Sequence, residues 1–248
     1  MSILFDENLD LFRLETANTS YIIGLADHRT FVGHVYYGRR VRGQDLRYLL
    51  RTGEAPFVPS ENERERCSFY DTFPSEYSGN GVGDYRESSI AVRTQAGQHA
   101  VMPTYVSYEI TDQKPELPGL PSAFDRENTA QTLILHCRDE VLQLDVDLYY
   151  TVFEENDMIT RSVRICNHSK EAVYLTKAYS ACLDMDDDGY EMLTLHGSWG
   201  RERQMDRRPI GYGKTSVGSI RGESSHQEHP FMAWMKSSST QTAGEVYA

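Results

Sequence analysis

A chain of 248 residues, 39% of them hydrophobic, is long enough to bury a substantial core as one large β domain or two smaller units. Its 25 Lys and Arg stand against 37 Asp and Glu, a formal charge of −12 that repels phosphate backbones and anionic lipid, and no basic block offsets it. Nucleic acid and membranes are therefore discounted as partners. The opening MSILFDENLDLF carries neither a basic leader nor a long apolar run, so the expected compartment is the cytoplasm.

Along the chain, β-branched and aromatic residues predict strands at Leu11–Thr16, Tyr21–Leu25 and Phe31–Tyr37. The stretch from Arg39 to Gly83 is charged, carries prolines and shows little alternation. It reads as a long irregular loop, a length that in compact domains marks function or disorder. Farther on, Leu142, Leu144, Val146, Leu148, Tyr150 and Val152 alternate with mostly polar residues, the period of a half-buried antiparallel strand. Thr132–Cys137 precedes this strand, Met158–Cys166 follows it, and Ala172–Ser180 comes after the turn at Asn167–Glu171. Four successive strands are expected to form a meander. Phe231–Lys236 reads as a strand, and Glu245–Ala248 as one that stops almost as soon as it starts, so the domain is expected to be truncated at its C-terminal end. No segment sustains an apolar stripe at helical spacing, which predicts very little helix.

Motifs that carry chemistry by themselves are weak. Cys67, Cys137, Cys166 and Cys182 lack CxxC pairing, and free buried thiols are preferred to disulfides. Asp184, Asp186, Asp188 and Gly189 match the first half of a calcium loop. The twelfth position, where a bidentate glutamate should close the shell, is Leu195, so a solvated acidic turn is preferred to a metal site. His226 and His229 lack the HExxH order. Gly79, Gly81 and Gly83 have no GK[ST] after them. Ser198, His226 and Asp206 can be drawn as a triad, but no GxSxG elbow supports it. Asp84 and Arg86, on a glycine-flanked turn, are read as structural partners of each other or of nearby backbone. No metal and no cofactor are expected.

Two segments, Leu195-His-Gly-Ser-Trp-Gly-Arg-Glu-Arg203 and Arg221-Gly-Glu-Ser-Ser-His-Gln227, are too rich in special residues to read as plain strands. Ahead of them come His34-Val-Tyr-Tyr-Gly38, Phe73-Pro-Ser-Glu-Tyr77 leading to Gly83-Asp-Tyr-Arg86, Leu117-Pro-Gly-Leu-Pro121, and Tyr150-Thr-Val-Phe153 leading to Ile159-Thr-Arg-Ser162. Gly244-Glu-Val-Tyr247 closes the series. In this order, and over almost the whole chain, they resemble the N-terminal domain of glycoside hydrolase family 36 α-galactosidases.

The resemblance implies one large antiparallel β-supersandwich of galactose mutarotase-like type, residues 1–248, ahead of a catalytic (β/α)8 barrel. In the family, two aspartates of that barrel carry a retaining double displacement on terminal α-galactosides of raffinose or melibiose type. Neither has a counterpart here, so this chain is expected to contribute no catalytic residue and to be inactive alone. The implied partners are the barrel, further copies in a homotetramer, and an α-galactoside. Within the loop Leu49–Phe57, the resemblance puts Glu54 near a position that reaches a neighbouring active site in trans. It makes Trp199, with Arg201 and Arg203, an interface anchor, although an exposed indole also suits sugar stacking. Arg207 and Arg208 could cross the same interface to carboxylates or carbonyls, and their plainer reading is a solvated loop. Two alternatives remain open: a stand-alone carbohydrate-binding β-sandwich module, and a mutarotase-like enzyme using His196 and His226.

Overall fold

The computed structural model describes residues 2–52, 69–119, 122–221 and 226–248. The chain divides into two compact units, Met1–Asp184 and Met185–Ala248. Strands dominate both, and the helices among the described residues are single 3-10 turns at Arg47–Leu49 and Glu154–Asn156. The all-β antiparallel architecture predicted from the period of two is the one observed.

In the first unit, β1 (Ile3–Asp6), β2 (Leu11–Glu15), β3 (Thr19–Ala26) and β4 (Phe31–Arg39) form an antiparallel meander. After β5 (Ile90–Thr94), a second meander contains β6 (Thr104–Thr111), β7 (Gln131–Asp139), β8 (Leu144–Phe153) and β9 (Met158–Asn167). The predicted fourth strand, β10 (Val173–Ala178), does not join it and instead pairs with β5. Alternation shows that a strand is half-buried but is silent about its neighbour. The partner is set by long-range contacts: Tyr77 donates its hydroxyl to the Tyr179 carbonyl at 2.9 Å, and Thr176 donates to the Ala91 carbonyl at 3.0 Å. The place left in the meander is taken by β6, an edge strand with half of its residues exposed, whose pattern is correspondingly blurred.

The two meanders bury one core between them. Phe12, Leu14, Tyr21 and Ile23 from the first meet Leu133, Leu135, Val146, Leu148 and Tyr150 from the second. Every inward residue of β8 is at most 2% exposed, and burying each large aliphatic side chain stabilises the fold by about 1.5–3 kcal/mol. β8 starts at Leu144, two residues later than the alternation suggests, because Gln143 adopts a left-handed φ of 55°. Asp139 caps that turn, accepting the Val141 and Leu142 amides at 2.9 and 2.8 Å.

The first meander is also buried on its other face. Leu11, Ile22 and Val35 pack against Leu46, while Phe31 packs against Phe69, Tyr70 and Phe73. The described parts of the 39–83 stretch are thus a folded cover. Gly24 and Gly33, cross-strand partners, make the dent that receives it: a Cβ on either would lie 2.6 Å from a Leu50 methyl.

In the second unit, β11 (Tyr190–Ser198), β12 (Arg201–Pro209), β13 (Glu228–Lys236) and β14 (Val246–Tyr247) form one sheet in the order β12-β11-β13-β14. Its buried cluster is small: Leu193, Ala233 and Met235, with Leu195 partly covered.

Candidate functional site

Four of the sequence segments singled out above converge on one carboxylate in the core of the first unit. The stretch Pro74–Glu76 lies along β4: the His34 amide donates to the Pro74 carbonyl, and the Glu76 amide donates to the Val32 carbonyl at 3.0 Å. This alignment drives Glu76 inward until it is 0% exposed. On β4, the register opposite β3 slips between Ile22 and Ile23, leaving Val35 as an extra residue. Such a bulge reverses the alternation beyond it. His34 and Tyr37 therefore both face the sandwich core, where their rings lie 4.9 and 5.5 Å from that of Tyr21.

Glu76 Oε1 accepts hydrogen bonds from the hydroxyls of Tyr21 and Tyr150 and from Arg161 Nη1, the last two at 2.9 and 2.7 Å. His34 Nδ1 lies 3.3 Å from Oε2 and donates to it in the Nδ1–H tautomer. Arg161 is the cross-strand partner of Tyr150, and its guanidinium sits 4.1 Å from the centre of that ring. Two further guanidinium nitrogens, Nε and Nη2, are buried without a hydrogen-bond partner among the described residues.

Burial alone would raise the pKa of the Glu76 carboxyl. The Arg161 charge, then the His34 contact and the Tyr21 hydroxyl, outweigh burial and hold it below the ordinary range. Burial first, and then the Glu76 charge, push the Tyr21 phenol well above its usual value. A fully enclosed carboxylate held below the ordinary range has neither the elevated pKa of a general acid nor access to a substrate. The centre is an internal ion pair that ties together β3, β4, β8, β9 and the 74–76 segment.

A second polar cluster confirms the structural reading of Asp84 and Arg86. Arg86 Nε and Nη2 donate to the two Asp84 oxygens, each at 2.9 Å, while Nη1 donates to Asp184 at 3.1 Å and Nη2 also reaches the Phe73 carbonyl. Burial raises the Asp184 pKa, opposed by the Arg86 charge. Asp184, first residue of the calcium-like run, is thus occupied by an arginine, and Asp188 is paired with Lys236. Among the described residues no group of three or more His, Cys, Asp or Glu is arranged to hold a metal ion.

In the second unit, Leu195–Arg203 proves to be a plain hairpin, contrary to the sequence expectation. β11 and β12 pair down to Ser198 opposite Arg201, and Trp199 and Gly200 form the turn. The special residues serve the tip. Gly200 has φ of 76°, and a Cβ on Gly197 would lie 2.1 Å from the Arg201 carbonyl oxygen. Trp199 is 80% exposed at the turn, and Arg201 and Arg203 are exposed beside it on β12. Arg207 and Arg208 also lie within β12, so the solvated-loop reading fails. Arg207 pairs with Glu191 at 2.7 Å and donates to the Lys236 carbonyl at 3.0 Å.

Other predicted residues do not assemble. Asp206 is opposite Thr194, four residues along β11 from Ser198, a separation of about 13 Å at strand rise, so the drawn triad does not form. His196 is exposed on β11, with Glu228 opposite it, and His226 precedes β13. Cys137, Cys166 and Cys182 are free thiols, and burial pushes Cys137 up to about 12. Glu54 and Cys67 lie outside the described residues. No helix among the described residues is long and apolar enough to cross a membrane.

Comparison with known proteins places this geometry. The bifunctional α-galactosidase/sucrose kinase AgaSK of Mediterraneibacter gnavus is 36% identical over 249 aligned residues, which cover 100% of this chain and 26% of that protein. α-Galactosidase Mel36A of Lactobacillus acidophilus is 37% identical over 99% of this chain and 34% of its own length. The crystal structure of the family 36 α-galactosidase AgaB from Geobacillus stearothermophilus superposes with a TM-score of 0.90 at 32% identity, covering 99% of this chain and 34% of that one. The chain therefore spans between a quarter and about a third of these relatives. The family model described as the glycosyl hydrolase family 36 N-terminal domain matches residues 30–248, and the chain belongs to that family.

Proposed function

We propose that this chain is the non-catalytic N-terminal domain of a retaining α-galactosidase that hydrolyses terminal α-galactosides of raffinose or melibiose type in the cytoplasm. The observation that carries this reading is the match to α-galactosidases along nearly all of this chain and only part of theirs. The chemistry of the core agrees with it, since the enclosed carboxylate Glu76 is saturated with donors. The domain packs on a (β/α)8 barrel of the same protein and supports a homotetramer. Trp199, Arg201 and Arg203 act as its anchor, and Glu54 reaches a neighbouring active site to accept hydrogen bonds from sugar hydroxyls.

The purified 248-residue chain should leave a chromogenic α-galactoside intact. Turnover above background would end the reading. In the full-length enzyme, Glu54→Ala should raise KM for raffinose while the oligomer persists. Unchanged kinetics in an intact tetramer would remove Glu54 from the site. Calorimetry with galactose on the chain alone should show no binding, and a measurable affinity would favour a free-standing carbohydrate-binding module.

A further inference from the structure

The glycine-rich run Gly79-Asn-Gly-Val-Gly83 follows the buried Glu76 but takes no part in its ion pair. The Asn80 carbonyl accepts the Val101 amide at 3.0 Å, and the Asn80 carboxamide donates to the His99 carbonyl at 3.3 Å. Gly81 has a left-handed φ of 77° and is exposed. Asn80 is half-buried, so water reaches both residues.

Asparagine is a chemically labile side chain, and it is most open to attack by the next backbone nitrogen when that residue is glycine, which has no side chain to crowd the approach. The attacking nitrogen must also give up its proton, so an amide already donating a hydrogen bond is held back. The asparagines of this chain divide on that point. After Asn8, Asn18, Asn128, Asn156 and Asn167, the amides of Leu9, Thr19, Thr129, Asp157 and His168 are donated to Asp6, Thr16, Asp125, Glu154 and Gln143 respectively. The Gly81 amide donates to no acceptor among the described residues. The one pair with the reactive sequence is thus also the one whose nucleophilic nitrogen is left free by the fold.

We propose that Asn80 is a site of spontaneous covalent modification, deamidation through a cyclic imide to aspartate and isoaspartate. The Gly81 nitrogen loses its proton to solvent base and attacks Asn80 Cγ. A bond forms between that nitrogen and Cγ, the Cγ–Nδ2 bond breaks, and Nδ2 takes a proton back from solvent and leaves as ammonia. Water then opens the imide: addition at Cγ leaves aspartate, and addition at the backbone carbonyl leaves isoaspartate, with the main chain rerouted through the former side chain. Either product replaces a donor to the His99 carbonyl with a negatively charged acceptor, so that hydrogen bond is lost. Isoaspartate also adds a main-chain carbon next to Gly79, where even a Cβ would lie 1.9 Å from the Val101 carbonyl oxygen. The site is a property of this chain and does not depend on the α-galactoside reading.

Incubation of the folded protein in mildly alkaline buffer, followed by peptide mass spectrometry that separates aspartate from isoaspartate at each asparagine, tests the assignment. Asn80 should convert more than tenfold faster than Asn8, Asn18, Asn128, Asn156 or Asn167. In urea, where the native hydrogen bonds are gone, those five should accelerate far more than Asn80 does. Gly81→Ala should slow conversion of Asn80 more than tenfold, and an unchanged rate would exclude attack by the residue 81 nitrogen. An Asn80 that stays intact in the folded protein while converting in urea would overturn the proposal, as would earlier conversion at any of the other five. The comparison of folded and urea-treated wild type decides the matter even where Gly81→Ala fails to fold.

Discussion

The two units of this chain solve the burial problem in opposite ways. The first closes two meanders over a continuous apolar core and then places a charged group inside it. The second has a small cluster around Leu193, Ala233 and Met235, and leaves Trp199, Met205, Ile210, Phe231 and Met232 substantially exposed. A unit with its own large core can carry an internal ion pair. A single sheet with its apolar residues in water is expected to be completed by another surface. The contrast separates residues that hold the fold from residues left on the surface.

The sharpest way to break that contrast is at Glu76. Glu76→Ala leaves Arg161 buried without its counter-charge, so it should destabilise the first unit by about 3–5 kcal/mol. Urea unfolding followed by tyrosine fluorescence measures this, and a loss below about 1 kcal/mol would show that the centre is incidental. Next in size comes Gly79→Ala. A Cβ there would sit 1.9 Å from the Val101 carbonyl oxygen, and forced repacking of this kind costs on the order of 1–3 kcal/mol. The unfolding midpoint should fall with an unchanged slope.

A pH series sharpens the same point. Because the folded pKa of Glu76 lies below its unfolded value, its contribution is complete above about pH 5 and is lost as pH falls through the folded pKa. The stability gap between wild type and Glu76→Gln should therefore narrow on acidification, and a gap constant from pH 7 to pH 3 would contradict the ionised assignment. The smallest effect on stability belongs to Trp199→Ala in the second unit, within about 0.5 kcal/mol because the side chain is exposed. That same substitution should reduce assembly of the full-length enzyme in analytical ultracentrifugation. An unaltered oligomer would remove Trp199 from the interface.

How much of this was legible beforehand depends on what each residue reports. β8 was plain because its inward and outward residues differ in polarity at every step. β10 was recognisable as a strand but not as the partner of β5, since pairing across about 80 positions leaves no local mark. The hairpin at Trp199 was obscured because its glycines serve the turn and one close approach, while its charges simply face outward. The Glu76 centre was the least visible. A carboxylate in a charged, proline-bearing stretch looks solvated, and nothing local announces that a bulge at Val35 and a cross-strand arginine await it. Its participants His34, Glu76, Tyr150 and Arg161 all lay within the segments that carried the family resemblance, which is the one signal that could have found them.

The distance along the chain between Glu76 and Arg161 has a consequence for biosynthesis. The two are 85 residues apart, and a ribosome needs about 4–17 s to make that length. For that interval the nascent 74–76 segment beside the first meander carries a carboxylate whose counter-ion has not been made. Closing the sandwich early would strand it in a dry interior, so the second meander must emerge before the first can be sealed. Final consolidation is thereby coupled to the arrival of β9.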